Sequence, residues 1–162
     1  MRSQVEVRWW EPCCTRRFAT GKSYMNDLEP AAREAGRWLR FSKEDLELAS
    51  RLLSGSPSAP RHTCWLAQQA AEKAIKAALI LEGIEFPFIH DLDALRDQLP
   101  RDWPVEDAHA DLSGLTQWAA EARYPRDRPE PTDAEAARAE SEARSVYNSV
   151  AAECRRRGVL AE

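Results

Sequence analysis

From residue 29 onward the chain repeats one pattern: apolar residues at three- and four-residue steps, in long stretches separated by proline- and glycine-rich breaks. That period is the period of one face of an α-helix, and it recurs in four stretches. In residues 29–53 the stripe is Ala32, Ala35, Leu39, Leu46, Ala49 and Leu53, with Ser42 before Lys-Glu-Asp as a signal for an internal start or bend. The run SGSPSAP, residues 54–60, then supplies a turn and removes helix donors. Residues 61–82 predict a second helix with a small, apolar stripe of Cys64, Gln68, Ala71, Ile75, Ala78 and Leu79, closed by Gly83. Its opposite side carries Gln69, Glu72, Lys73 and Lys76, where a Glu72–Lys76 pair at i, i+4 contributes only a few tenths of a kcal/mol.

Pro87 breaks the pattern, and Leu92, Leu95 and Leu99 follow as a short amphipathic turn or helix opened by His90-Asp91. The spacing predicts a third long helix over 105–122, with Ala108, Leu112, Leu115, Trp118, Ala119 and Ala122 on one face, stopped before Pro125. The proline-dense YPRDRPEP reads as an extended connection. Thr132 and Glu135 form a capping box for a helix over 132–157 that runs through Ala136, Ala139, Ala143, Val146, Tyr147, Val150 and Cys154. Such a helix is roughly 36–39 Å long at 1.5 Å per residue and needs packing partners along its whole length. Four amphipathic helices without a credible strand predict an all-α bundle.

A chain of 162 residues forms one core, and its 43% hydrophobic and 31% charged composition is ordinary for a packed domain. The net charge of −4 speaks against an unselective nucleic-acid binder, so any phosphate site is local. No apolar run reaches the roughly 18 residues a membrane helix needs, and the N-terminus carries charge where a signal peptide needs an apolar stretch, so the chain reads as cytoplasmic. Cys13 and Cys14 are adjacent while Cys64 and Cys154 stand alone, a spacing without a metal-ligand set; neither a metal nor a cofactor is expected.

Residues 1–24 follow no period and hold five basic and two acidic side chains, leaving the remainder at −7. They read as an extension outside the domain, from a misassigned start, with residues 25–162 forming the helical unit; a basic arm that touches RNA or membrane is the alternative.

Three motifs bring in a family. The run CWLAQQAAEKAIKA, residues 64–77, is similar to the "QQAAEKALKA" signature of the HEPN domain family; FPFIHDL, residues 86–92, is similar to its "P-x-x-H-D-L" turn. ARYP, residues 122–125, with the following Glu130-Pro131-Thr132, resembles its "ARYP" element and trailing helix start. With FSKEDLELA, residues 41–49, the resemblance covers about residues 32–157. It implies an up-and-down bundle, here of four to five helices, that pairs into a homodimer and works with a small nucleotidyltransferase, as toxin and antitoxin or as a two-subunit enzyme. Nucleotide or RNA is the ligand class the family implies.

Catalytic members of the family are metal-independent RNases that place four to six residues between an Arg and a His. Here the nearest arginine in register, Arg101, has seven residues before His109, so the motif is missing. His90 and Arg123 are the pair at family-like positions that could move a 2′-hydroxyl proton and stabilise a phosphorane-like charge. Both have plainer roles: His90 with Asp91 as a helix-opening turn, and Arg123 on the last carbonyls of a helix or on a carboxylate. Gln69, Lys73 and Lys76 share a polar face that either lines a phosphate or partner groove or is simply solvated. Tyr124 stacks a base or packs at a helix end. The sequence thus favours a binding subunit working beside a nucleotidyltransferase-type partner, with an RNase toxin using a displaced Arg/His pair, or an interaction module without ligand, as alternatives.

Overall fold

The computed structural model describes residues 25–121 and 129–159, with side chains from residue 30. Its elements in chain order are α1 Met25–Ser54, α2 Pro60–Leu81, α3 Leu92–Arg96, α4 Pro104–Ala108, α5 Ser113–Thr116, α6 Trp118–Glu121 and α7 Asp133–Arg156. Among the described residues there is no strand, and the all-α bundle expected from the periodicity is what the chain forms.

Helix α1 runs unbroken through Ser42. The hydroxyl does not cap a start there; it is buried and donates to the Ala70 carbonyl of α2 at 2.7 Å, tying the two helices where small residues let their backbones approach. Helix α2 is the axis of the molecule. Pro60 opens it at a position that needs no donor, and Ala67, Ala70, Ala71, Ala74, Ala77 and Ala78 are fully buried along it. Its stripe of Cys64, Gln68, Ala71, Ile75, Ala78 and Leu79 faces the core as the spacing predicted. Gly83, at φ 66°, ends the helix: its N–H reaches the Ile80 carbonyl at 3.0 Å and the Ile84 N–H reaches the Leu79 carbonyl at 2.9 Å, the paired bonds of a Schellman cap.

The third leg differs from the continuous helix predicted over 105–122. It is broken into α4, α5 and α6, with α3 before them. The reason is side-chain competition for backbone groups. The Asp93 carboxylate accepts the Leu112 N–H at 3.0 Å, Arg96 donates to the His109 carbonyl at 2.5 Å, and Asp111 accepts the Ser113 N–H at 2.9 Å. The apolar positions Val105, Leu112, Leu115 and Trp118 still turn inward, whereas Ala108 is exposed. Burial therefore follows the pattern although the helix does not.

Helix α7 begins at the predicted capping box: the Glu135 N–H reaches Thr132 Oγ1 at 3.2 Å, and the Thr132 N–H reaches Glu135 Oε2 at 2.8 Å. Ser58 donates to Asp133 at the start of α2 and α7, and Arg157 bonds Glu82 at their far ends, so the two helices run in the same direction while the broken third leg carries the chain back. Ala136, Ala139, Ala143, Val146, Val150 and Cys154 pack inward along α7. Cys64 and Cys154 are buried free thiols, pushed up to about 12 chiefly by that burial, which leaves them inert.

Candidate functional site

The residues singled out on α2 fall into two environments. Glu72 and Lys76 are only 6% and 7% exposed, so this part of the helix is not a solvated face. Three side chains converge on the Glu72 carboxylate. Lys76 Nζ donates at 2.6 Å, Gln68 Nε2 at 2.8 Å, and His90 Nδ1 lies 2.9 and 3.2 Å from its two oxygens. The i−4 and i+4 positions place Gln68 and Lys76 on the same side of α2 as Glu72, and the loop after Gly83 brings His90 in from above.

Around this node, Lys76 also lies 5.4 Å over the Phe86 ring, which meets Trp38 of α1 edge-on. Gln69 donates to Gln68 Oε1 at 2.7 Å. Lys73 is half-buried and bridges to Asp45 of α1. Asp91 caps α3 by accepting the Ala94 N–H at 3.1 Å, as the spacing predicted, while His90 serves Glu72 and not the cap. Arg123 and Tyr124, and Cys13 and Cys14 with all of residues 1–24, lie outside the described residues. The structure thus gathers Gln69, Lys76 and His90 about a carboxylate that the spacing alone treats as one half of an exposed pair. Glu72, Gln68 and Asp45 are the members that sequence reasoning missed; a glutamate with Gln four residues before and Lys four residues after was the available signal.

Burial works to raise the Glu72 carboxyl, but hydrogen bonds from Lys76, Gln68 and His90 outweigh it and hold the group below the ordinary carboxylate range. With both lysines engaged by carboxylates, this face offers a phosphate little uncompensated positive charge.

A second polar cluster sits where the broken third leg meets α7. His109 Nε2 lies 3.5 Å from both Ser145 and Ser149, and Arg96 reaches the backbone of the same histidine. An Arg/His neighbourhood therefore exists that the spacing search could not find, because twelve residues separate the two in sequence. The guanidinium is not free, however: it is buried and bonds Asp93 at 2.5 Å and Asp97 at 2.6 Å. Burial chiefly, with the Arg96 charge, holds His109 below the ordinary histidine range against its contact with Ser145. Burial together with Asp111 and Asp93 raises Glu142 beside it. That acidic rim opposes an approaching phosphate.

At the far end, Arg157 ties three carboxylates, Glu82, Asp102 and Glu153, and its guanidinium lies 4.6 Å over Trp103. Hydrogen bonds from Arg156, and then Arg157, hold Glu153 at about 2 although burial opposes them. Groups with depressed folded values stabilise above their ordinary values and lose that contribution as pH falls. Stability is expected to hold at neutral pH, to begin declining as His109 is forced to charge below 6.5, and to fall steeply between 4.5 and about 2 as Glu72 and Glu153 protonate. Thermal melts across pH 2–8 check this, and a flat profile through the acid limb contradicts it. Glu153→Gln reduces the acid-limb slope.

Among the described residues no group of three or more His, Cys, Asp or Glu side chains is arranged to hold a metal, and no helix is long and apolar enough to cross a membrane. No curated protein matches the chain. A solved structure, that of TT1696 from Thermus thermophilus, superposes with a TM-score of 0.63 at 28% identity, over 72% of this chain and 94% of that one. The HEPN domain family matches residues 35–154, from the middle of α1 to the last turn of α7, which takes in the Gln68–Glu72–Lys76 node, the His90-Asp91 turn and the capping box. The chain belongs to the HEPN domain family.

Proposed function

We propose that the helical unit of residues 25–162 is a non-catalytic, cytoplasmic HEPN subunit that pairs with a second copy and binds a nucleotide or RNA target together with a nucleotidyltransferase-type partner. The observation that carries this reading is that the arginine the fold brings to a histidine is occupied: Arg96, beside His109, is bonded to two carboxylates and a carbonyl, while of the candidate pair His90 and Arg123 only His90 lies among the described residues, bonded to Glu72. An arginine saturated by acceptors has little left for the charge that develops on a phosphorane-like transition state, and the Glu72 contact orients the His90 ring without supplying that charge. The family membership supplies the partner class, and the polar loop around His90 and Asp91, with Gln69 and Lys73 beside it, is the surface on which this reading places the partner protein.

The purified protein is expected to leave a mixed RNA substrate intact over hours and to bind ATP or RNA measurably by calorimetry. Cleavage that disappears in both His90→Ala and Arg123→Ala would overturn the non-catalytic reading in favour of an RNase toxin. Cleavage lost only in His109→Ala would move the chemistry to the Arg96–His109 neighbourhood and likewise favour the toxin alternative. Flat calorimetric traces with both ligands would leave a pure interaction module.

A further inference from the structure

The loop between α2 and α3 is pinned along its length and still leaves one large apolar side chain in water. Its first residues are fixed by the Schellman bonds at Gly83 and Ile84. Phe86 is packed against Trp38, with ring centroids 6.4 Å apart, and lies under Lys76. His90 is bonded to Glu72 by its ring, and its carbonyl accepts from Gln68 at 3.4 Å. Between these anchors the Ile89 N–H closes on the Pro87 carbonyl at 2.9 Å, a three-residue γ-turn with Phe88 at its apex. Phe88 is 82% exposed, about twice the exposure of Phe41 at 42% or Leu48 at 41%.

A single exposed apolar residue on a loop is common and needs no explanation. The difference here lies in the combination. A loop under no demand to show its aromatic could fold Phe88 onto the apolar wall that Phe86 and Ile89 already share; the turn at Pro87 instead directs it outward from a backbone held on both sides. A rigid aromatic presented this way has little ordering cost left when it enters a pocket, which is how interface anchors gain their affinity. Exposed acids flank it on both sides, Glu85 three residues before and Asp91 three residues after.

Resting on the partner reading above, we infer that Phe88 is the docking anchor of this subunit, inserted into an aromatic-sized apolar pocket on the partner protein whose rim carries cations facing Glu85 and Asp91. Phe86 and His90 hold the anchor in position and do not themselves enter the pocket. The partner is a protein and not a nucleic acid, because the acids beside the anchor repel phosphate.

The test is a titration of the purified nucleotidyltransferase-type subunit with the wild-type protein and with Phe88→Ala, Phe88→Asp, Phe88→Trp and the control Phe41→Ala. Because the ring is in solvent, all Phe88 variants are expected to melt with the wild type. Phe88→Ala weakens binding at least tenfold, on the order expected of an interface hot spot; Phe88→Asp weakens it further, and Phe88→Trp and Phe41→Ala keep most of it. Wild-type binding left unchanged in Phe88→Ala and Phe88→Asp overturns the anchor and leaves the partner reading standing. Loss in Phe41→Ala with none at Phe88 moves the interface to α1 and likewise overturns it. Absence of wild-type binding overturns both.

Discussion

Glu72→Ala destabilises the fold by about 3–5 kcal/mol, the cost of leaving a buried ion without its counter-ion. The variant removes the acceptor of Lys76, whose side chain is only 9% exposed, and takes one hydrogen bond each from the Gln68 amide and the His90 ring. Urea unfolding followed by circular dichroism measures the loss. The double variant Glu72→Leu with Lys76→Met recovers most of it, because a well-packed apolar pair replaces a buried ion pair at little net cost. A single-variant effect below about 1 kcal/mol, the level of an exposed pair, would show that water reaches the node.

Trp103→Ala has an effect of similar size, about 3–5 kcal/mol, by a different route. The indole is fully buried, its Nε1 donates to Glu82 at 2.9 Å, and its ring lies beneath the Arg157 guanidinium. Truncation leaves a cavity and unties the joint that holds the end of α2, the turn before α4 and the end of α7 together. Trp103→Phe keeps the stacked ring and loses the hydrogen bond, so it costs about 1–2 kcal/mol. Equal losses in the two variants would assign the effect to the bond and not to the packing.

The two predictions differ in how much of their basis could be read from the sequence. The stripe on α2, the Gly83 stop, the Thr132–Glu135 box and the inward run of α7 were all legible, because each depends on residues within four positions of one another. Ser42 illustrates the opposite case. Locally it is a helix-start signal, yet its hydroxyl finds the Ala70 carbonyl across the helix pair, 28 residues away. The third leg failed for the same kind of reason. Its apolar spacing is helical, but Asp93 and Arg96 of α3 capture backbone groups near residues 109–112 and break it into short pieces.

At the candidate site, the residue types were legible and their partnerships were not. Gln69, Lys73, Lys76, His90 and Asp91 could be named from motif and spacing, and Asp91 performs the local role its position suggests. A periodic pattern assigns a residue to one side of its own helix, and only the neighbours of that helix decide whether the side is wet. For α2, with α1, α7 and the 83–91 loop packed around it, Lys76 and Glu72 are enclosed.

By itself, then, the sequence determined the all-helical class of the described residues, the positions of three long helices, the Gly83 and Thr132–Glu135 caps and the family to which the chain belongs. All of these rest on local periodicity and short motifs, in which the interacting groups lie within a few residues of one another. Tertiary structure alone decided that Glu72 is a buried hub, that Arg96 meets His109, that Trp103 lies under Arg157 and that Phe88 stands out from a pinned loop. Each depends on desolvation or on contacts between groups far apart in the chain, and neither is encoded in the spacing of any one segment.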